Sequence, residues 1–360
     1  MGTDSVIYIR TDGNAKIATG HLVRCLCIAQ ALEELGRKVC FLVSDDTSFS
    51  LLKDLRASIF HDVSFSFDTK ILESAVYDDL ELEIDELCGL LVDNKSVILI
   101  DSYYVTPRYF ETLKPHAYVA YMDDLRSFDY DVDLVINYDV IPPSKEEEYK
   151  QAYTKAKTAL LGAQYTPLRK QFQNQKVELK DEIKNILITT GGSDPYHFAE
   201  GMSSFLASQN LDADIHIAVG KLFDNIETLK ILASKYPRIH LHQNVTDMAT
   251  LMKQCDYAIS AAGTTLYELC ALGIPTVSIT MADNQVIIAE TFDETGAVPY
   301  AGDIRNAPPS VLEMIKEHLT YSIKNTNAYK QQRHLMQQVT KGNGAILIAQ
   351  KLYKLYSNIL

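Results

Sequence analysis

Short apolar runs alternate with longer segments of helical periodicity, and this alternation starts twice in the chain. In the first half, Val6–Ile9, Val39–Val43, Ile59–Val63, Ser96–Ile100, Ala117–Tyr121 and Leu134–Asn137 read as strands. Helical stretches stand between them: one from His21 through Leu22, Leu26, Ile28, Ala29 and Leu32, one from Ser48, the acidic amphipathic Asp78–Asp93, and Tyr109–Leu113. Strands alternating with helices imply a parallel sheet with right-handed crossovers. The rhythm breaks between Leu161 and Asp181, where a turn-like stretch runs into polar, charged sequence, and then restarts. Strands Asn185–Thr189, Ile215–Val219, Ile239–Leu241, Tyr257–Ser260 and Thr276–Ile279 alternate with helices at about Tyr196–Ser208, Leu222–Ala233, Met248–Lys253 and after Gly263. The tail from Ser310 is mostly helical, and Ala345–Leu355 is strongly amphipathic.

At 360 residues the chain exceeds one ordinary core. The expectation is an α/β protein of two Rossmann-like domains facing across a cleft. The domains span 1–165 and 183–342, joined by a linker at 166–182, and a helix at 343–360 is able to return to the first domain. A hydrophobic share of 47% and a charged share of 22% fit a soluble protein. There is no membrane-length apolar run and no leader pattern, so a cytoplasmic location is expected. The net charge of −13 argues against nucleic acid as a partner. The six cysteines form no C-x-x-C pair and the histidines no H-E-x-x-H, so neither a metal nor a cofactor is expected. His240 and His242 alternate on one strand face, which reads as a solvated or packed edge.

In parallel sheets ligands gather beyond the carboxyl ends of the strands. Three glycine turns occupy that position: Thr19-Gly20-His21, Gly191-Gly192-Ser193 and Ala262-Gly263-Thr264. Alone, each is ordinary turn chemistry, and His21 could simply cap a helix. Together they suit a diphosphate and its attached group, held by unpaired amides at helix starts. Glu268, one turn beyond Gly263, could accept hydrogen bonds from two vicinal hydroxyls of a ribose.

These residues resemble a known family. Thr190-Gly191-Gly192-Ser193, Asn244-Val245-Thr246-Asp247-Met248, Ser260 to Glu268, Gly273-Ile274-Pro275 and Asn284-Gln285 resemble the nucleotide-sugar domain of GT-B enzymes, in particular the lipid II-forming N-acetylglucosaminyltransferase. The first half resembles the UDP-sugar hydrolase of pseudaminic acid biosynthesis and its spore-coat polysaccharide relatives. The matching stretches are Ile9-Arg10-x-Asp12, Gly20-His21-x-x-Arg24-Cys25-Leu26, Ile100-Asp101-Ser102-Tyr103, Met122-Asp123-Asp124, Val135-Ile136-Asn137 and Gly162-x-x-Tyr165-x-x-Leu168-Arg169.

The resemblance implies an inverting hydrolysis of a UDP-linked 2,4-diacetamido-2,4,6-trideoxy hexose, with His21 as general base toward water. Tyr103 and Asp12 would line the sugar and water side, beside Gly20 and Arg24. Gly192, Ser193, Gly263 and Thr264 would hold the diphosphate, Val245 and Met248 the uracil, Glu268 the ribose, and Asn284 and Gln285 the sugar. The alternative is a GT-B glycosyltransferase using a UDP-amino sugar. A UDP-sugar-binding regulator without turnover is a third reading, and a hydrolysing 2-epimerase would need cleft carboxylates not found here. The chain departs from the family twice. Ala18 replaces a glycine, which suggests that this position does not need a positive φ. Tyr267 replaces an asparagine and is expected to reshape the sugar pocket.

Overall fold

The computed structural model describes residues 6–60, 65–91, 96–178, 180–209 and 211–357. The chain divides into two compact units, Met1–Lys170 with Asn343–Leu360, and Gln171–Gly342. The expected extended piece Ile59–Val63, the end of the Asp78–Asp93 helix, one residue of the expected linker and both chain ends lie partly outside the described residues.

In the first unit the chain runs β1 (Ile7–Thr11), α1 (Gly20–Glu34), β2 (Val39–Val43), α2 (Asp46–Ile59), β3 (Asp68–Ile71), α3 (Ile84–Leu90), β4 (Ser96–Asp101) and α4 (Pro107–Leu113). It continues through β5 (Ala117–Met122), β6 (Leu134–Asn137), α5 (Glu146–Gln151) and β7 (Ala159–Leu161). The strand order is β3-β2-β1-β4-β5-β6-β7, parallel throughout. The central strands are buried end to end (the six residues of β4 without exception), as a sheet covered on both faces requires. The order reverses between β1 and β4, so the crevice of this sheet opens beyond Thr11 and Asp101.

The second unit repeats the plan. It holds β8 (Asn185–Thr189), α6 (Phe198–Ser208), β9 (Asp214–Val219), α7 (Ile226–Lys235), β10 (Ile239–Gln243), α8 (Met248–Gln254), β11 (Tyr257–Ala261), α9 (Thr264–Leu272), β12 (Thr276–Thr280), α10 (Asp283–Glu294), β13 (Tyr300–Asp303), α11 (Pro308–Lys324) and α12 (Thr326–Val339). Its order, β10-β9-β8-β11-β12-β13, reverses between β8 and β11. The last helix, α13 (Gly344–Ser357), belongs to the first unit. Ala345, Ile348, Ala349 and Leu352 are buried in one core with Leu22 and Leu26 of α1. Gly344 is required there, because a Cβ would lie 2.3 Å from the Thr166 carbonyl oxygen.

Several local expectations shift. The Asp78–Asp93 helix is a 3-10 turn at Leu80–Glu83 followed by α3. The helix after β9 starts at Ile226 rather than Leu222. The stretch read as a linker is packed: Phe172 is fully buried, and the Gln171 side chain accepts a hydrogen bond from the Ala249 amide at the start of α8.

His216 of β9 stacks between His240 and His242 of the edge strand β10, with ring centroids 5.0 and 5.2 Å away. Its Nδ1 lies 3.0 Å from His242 Nε2, and its Nε2 lies 3.1 Å from the Asn185 amide oxygen. Among the described residues no group of His, Cys, Asp and Glu is placed to hold a metal ion. Burial first, then the neighbouring His242 and His240, push His216 down to about 4, against the opposing pull of Asp214 and Asp256. The unfolded chain therefore binds this proton more readily, and the stability that depends on neutral His216 is present above pH ~6.5 and lost as pH falls toward 4. A His216→Gln variant is expected to show a flatter urea midpoint across that window than the wild type.

Candidate functional site

Asp101 closes β4 at the switch point of the first sheet, and it is 1% exposed. Facing it, the first turn of α1 presents His21 and, three residues on, Arg24, which share one helix face. His21 Nδ1 lies 2.5 Å from Asp101 Oδ1. Arg24 donates to the same carboxylate through Nε (2.7 Å to Oδ2) and Nη2 (2.5 Å to Oδ1). Arg24 Nη1 reaches Asp124 (2.8 and 2.9 Å) and the Tyr138 hydroxyl (2.5 Å). Burial alone would raise the Asp101 pKa, but the Arg24 charge and then His21 hold it well below the usual carboxylate range. A carboxylate at Nδ1 assigns the ring proton to that nitrogen and leaves the Nε2 lone pair available as a base. The same burial and the same carboxylate push the Cys25 thiol far up, so it stays protonated.

Tyr103, two residues beyond Asp101, sets its ring edge-on to His21, with centroids 4.5 Å apart at 75°. Burial, followed by the Asp124 charge, pushes its hydroxyl up to about 12, so near neutrality it is a hydrogen-bond donor and not a base.

Arg24 thus has its guanidinium committed inside the protein, which corrects its reading as a substrate contact. Asp12 is corrected on the same ground. Its Oδ2 pairs with Arg10 at 2.5 Å, and its Oδ1 accepts the Ser44 amide and hydroxyl at 2.8 and 2.9 Å. Arg10 is fully buried and bonds Glu83 through both Nε and Nη2, and Glu83 accepts the Tyr109 hydroxyl at 2.6 Å. Asp12 anchors the loop entering α1 and does not present a free carboxylate.

That loop turns at an unexpected residue. Asn14 Oδ1 gathers the Lys16 and Ile17 amides, and Ala18 adopts φ 55°, so the position does require the left-handed region. Gly20 has ordinary φ, and a Cβ there would meet nothing within 4 Å. Strain at Ala18 amounts to ~1–2 kcal/mol.

In the second unit the sites expected from sequence all follow carboxyl ends of strands on one edge of the sheet: Gly192 and Ser193 after β8, Val245 and Met248 after β10, Gly263, Thr264 and Glu268 after β11, and Asn284 and Gln285 after β12. The two glycine turns differ. Gly191 takes φ 89°, and the turn is backed by Gly220, whose Cβ would sit 2.4 Å from the carbonyl oxygens of Gly191 and Gly192. The start of α6 is closed by its own chain, because the Asp194 carboxylate accepts the Phe198 and Ala199 amides at 2.9 and 2.8 Å. Gly263 gives α9 no side-chain cap, and a Cβ on it meets nothing within 4 Å. An anion therefore finds open amides at α9 rather than at α6.

Thr190 opens the Thr190-Gly191-Gly192-Ser193 match but was given no role of its own from the sequence. Its hydroxyl is buried without a hydrogen-bond partner, and the β8–β11 register sets it beside the strand end that leads to Gly263. A threonine after a strand carries no signal of that kind in sequence. Glu268 is nine-tenths buried, and Asn284 is exposed. The Gln285 side-chain oxygen Oε1 accepts the Met281 amide at 2.9 Å. Tyr267 is buried with its ring against Phe292 (5.1 Å, 74°), so it packs the core and does not reshape a pocket. Asp247 caps α8 through the Thr250 amide, and Asn244 turns the preceding loop at φ 53°.

Two parallel α/β units, each with its loops at a switch point, make a GT-B-type fold, which solved glycosyltransferase and epimerase structures share. Residues 168–349, just over half of the chain, match the glycosyltransferase family 28 C-terminal domain, and the chain belongs to that family. The chain is 31% identical over 140 residues to the spore coat polysaccharide biosynthesis protein SpsG of Bacillus subtilis, covering 38% of this chain and 41% of that one. It is 25% identical over 221 residues to a Helicobacter pylori protein named as pseudaminic acid cytidylyltransferase and UDP-2,4-diacetamido-2,4,6-trideoxy-beta-L-altropyranose hydrolase, covering 57% and 38%. The chain spans about half or less of the length of the curated relatives it matches. In fold it is similar to MurG of Acinetobacter baumannii, with TM-score 0.68 and 15% identity across 97% of this chain and 99% of that one. Among the described residues no helix is long and apolar enough to cross a membrane.

Two outcomes follow from this geometry. Asp101→Asn leaves Arg24 under-compensated and is expected to lose ~3 kcal/mol at pH 7. Because the native Asp101 pKa is depressed, that gap to wild type is present above pH ~4 and closes as pH falls below it, which urea unfolding at several pH values reads. Ala18→Gly relieves the left-handed strain against a larger unfolded-state entropy, and its urea midpoint is expected to rise by the equivalent of ~0.5 kcal/mol.

Proposed function

We propose that the chain is an inverting hydrolase of a UDP-linked 2,4-diacetamido-2,4,6-trideoxy hexose, releasing UDP and the free sugar for nonulosonic acid or surface glycan synthesis. The observation that carries this reading is the His21–Asp101 pair: a buried carboxylate at Nδ1 that leaves Nε2 as the basic nitrogen. An orienting carboxylate behind a histidine is the arrangement that makes imidazole an efficient general base. The Helicobacter pylori relative whose name includes a UDP-sugar hydrolase supports the substrate class.

In this reaction the water oxygen forms a bond to the sugar C1 while its proton passes to His21 Nε2. The C1–O bond to the β-phosphate breaks, and its electron pair leaves on UDP, with inversion at C1. Tyr103, protonated, edge-on to His21 and hydrogen-bonded to Asp124, lines the sugar side. In the second unit the open start of α9, with Gly263, Thr264 and the unpaired Thr190 hydroxyl, holds the diphosphate and takes up the developing charge without a metal. Gly192 and Ser193 flank it. Glu268 serves the ribose, the Val245–Met248 loop the uracil, and Asn284 and Gln285 the sugar. The chain works in the cytoplasm in this reading.

The family 28 match equally favours transfer to an acceptor other than water. The deciding experiment follows UDP release from the diacetamido nucleotide sugar with no acceptor present. Wild type is expected to release UDP, and His21→Ala is expected to lower kcat ~10³-fold while leaving the Kd for UDP unchanged. An unchanged rate in the variant removes His21 from the mechanism. Release that appears only when an acceptor is added establishes the transferase.

A further inference from the structure

Three loops of the first unit meet at Tyr77, and from these loops sequence reading drew Asp12 and Tyr103 into the site but not Lys16, Tyr77 or Tyr104. The β1–α1 loop contributes Lys16, exposed and five residues ahead of His21. The segment between β3 and α3 contributes Tyr77, held in a tight turn bridged from Val76 to Asp79; ahead of it, Ser74 bonds the Glu86 carboxylate through both amide and hydroxyl. The β4–α4 loop contributes Tyr104, whose amide is tied to the Ser102 hydroxyl. Tyr77 and Tyr104 pack edge to face, with centroids 5.8 Å apart at 88°. The Lys16 ammonium hydrogen-bonds the Tyr77 hydroxyl and lies 5.7 Å from that ring's centroid. Tyr103, which precedes Tyr104 on the same loop, packs on the His21 ring, so that loop joins the wall to the candidate base.

This wall is built but not covered. Tyr103 and Tyr104 remain 41% and 37% exposed, and Val76 42%. Arg10 and Arg24, the cations of the adjoining strand and helix, are buried and consumed by carboxylates, whereas the Lys16 ammonium stays at the surface. Half-exposed tyrosines with one surface cation and several hydroxyls offer apolar ring faces for C–H groups together with donors for carbonyl oxygens.

We infer that Tyr77, Tyr104 and Lys16 form the subsite that selects the pyranose, the tyrosine rings meeting its C–H face and the Lys16 ammonium a carbonyl oxygen of an N-acyl substituent. This rests on the UDP-sugar reading above, and it adds residues that bind the sugar without touching the reacting bond.

The test is titration calorimetry with UDP and with the UDP-diacetamido sugar, on a His21→Ala background that keeps the sugar intact. Tyr104→Ala and Lys16→Ala are expected to weaken the UDP-sugar about tenfold while leaving UDP unchanged, and Tyr104→Phe is expected to restore the wild-type ratio. A ratio of the two affinities that does not move in Tyr104→Ala and Lys16→Ala overturns the subsite. So does an equal weakening of both ligands. UDP release by the otherwise wild-type chain is scored separately. A shifted ratio without turnover sinks the hydrolase and keeps the subsite, and turnover with an unmoved ratio does the reverse.

Discussion

The buried carboxylate of Asp101 is the interaction on which the first unit's loops depend. It stands at the end of the central strand β4 and meets donors from three residues of α1 at once, His21, Arg24 and Cys25. Arg24 then carries the constraint outward to Asp124 and Tyr138, so loops after β4, β5 and β6 are referred to one guanidinium. A buried ion pair contributes little net stability, because desolvation offsets most of the Coulomb gain. What it supplies here is orientation: a histidine ring fixed at one nitrogen and open at the other. The neighbouring Arg10–Glu83–Asp12 group does the same for the loop that precedes His21.

The second unit sorts its loops by a different device. Both glycine turns begin as strand ends feeding helices, but one helix start is filled by Asp194 and the other is left bare behind Gly263. Burial raises the Asp194 pKa even though two backbone amides favour its ionised form. A side chain two residues past Gly192 therefore decides which helix can meet an anion. The membership in family 28 and the GT-B likeness belong to this plan of two parallel sheets.

Much of the plan was legible from the chain. Central strands such as Val97–Ile100 and Ile186–Ile188 are unbroken apolar runs, and a parallel sheet buried on both faces demands such runs. Two short outer strands were not legible: Asp68–Ile71 is polar with alternate residues exposed, and Tyr300–Asp303 is four residues with a single buried position, so neither periodicity nor composition marks them. The helix at Asp283–Glu294 was missed as well, since its apolar face is narrow. Of the candidate site, His21, Tyr103 and Gly263 were chosen from the sequence by their position after a strand. Arg24 and Asp12 were assigned outward roles because a sequence does not show which partners a charge will find. Arg24 finds Asp101 and Asp124, 77 and 100 residues away, and Asp12 finds Ser44, 32 residues away, beside the neighbouring Arg10 that Glu83 holds from 73 residues away.

The sequence by itself determined two parallel α/β units and the strand ends where chemistry can sit, because hydrophobic periodicity is local and each strand-to-helix turn is written in consecutive residues. Only the tertiary structure decided that Ala18, not Gly20, takes the left-handed turn, that Tyr267 faces the core, that α6 is closed while α9 is open, and that His21 has a carboxylate behind it. The Tyr267 and His21 environments are set by segments far apart in the chain, and the Ala18 turn and the closed start of α6 by local hydrogen bonds that residue type alone does not announce. The energy of a buried charge is fixed by whatever the fold brings beside it.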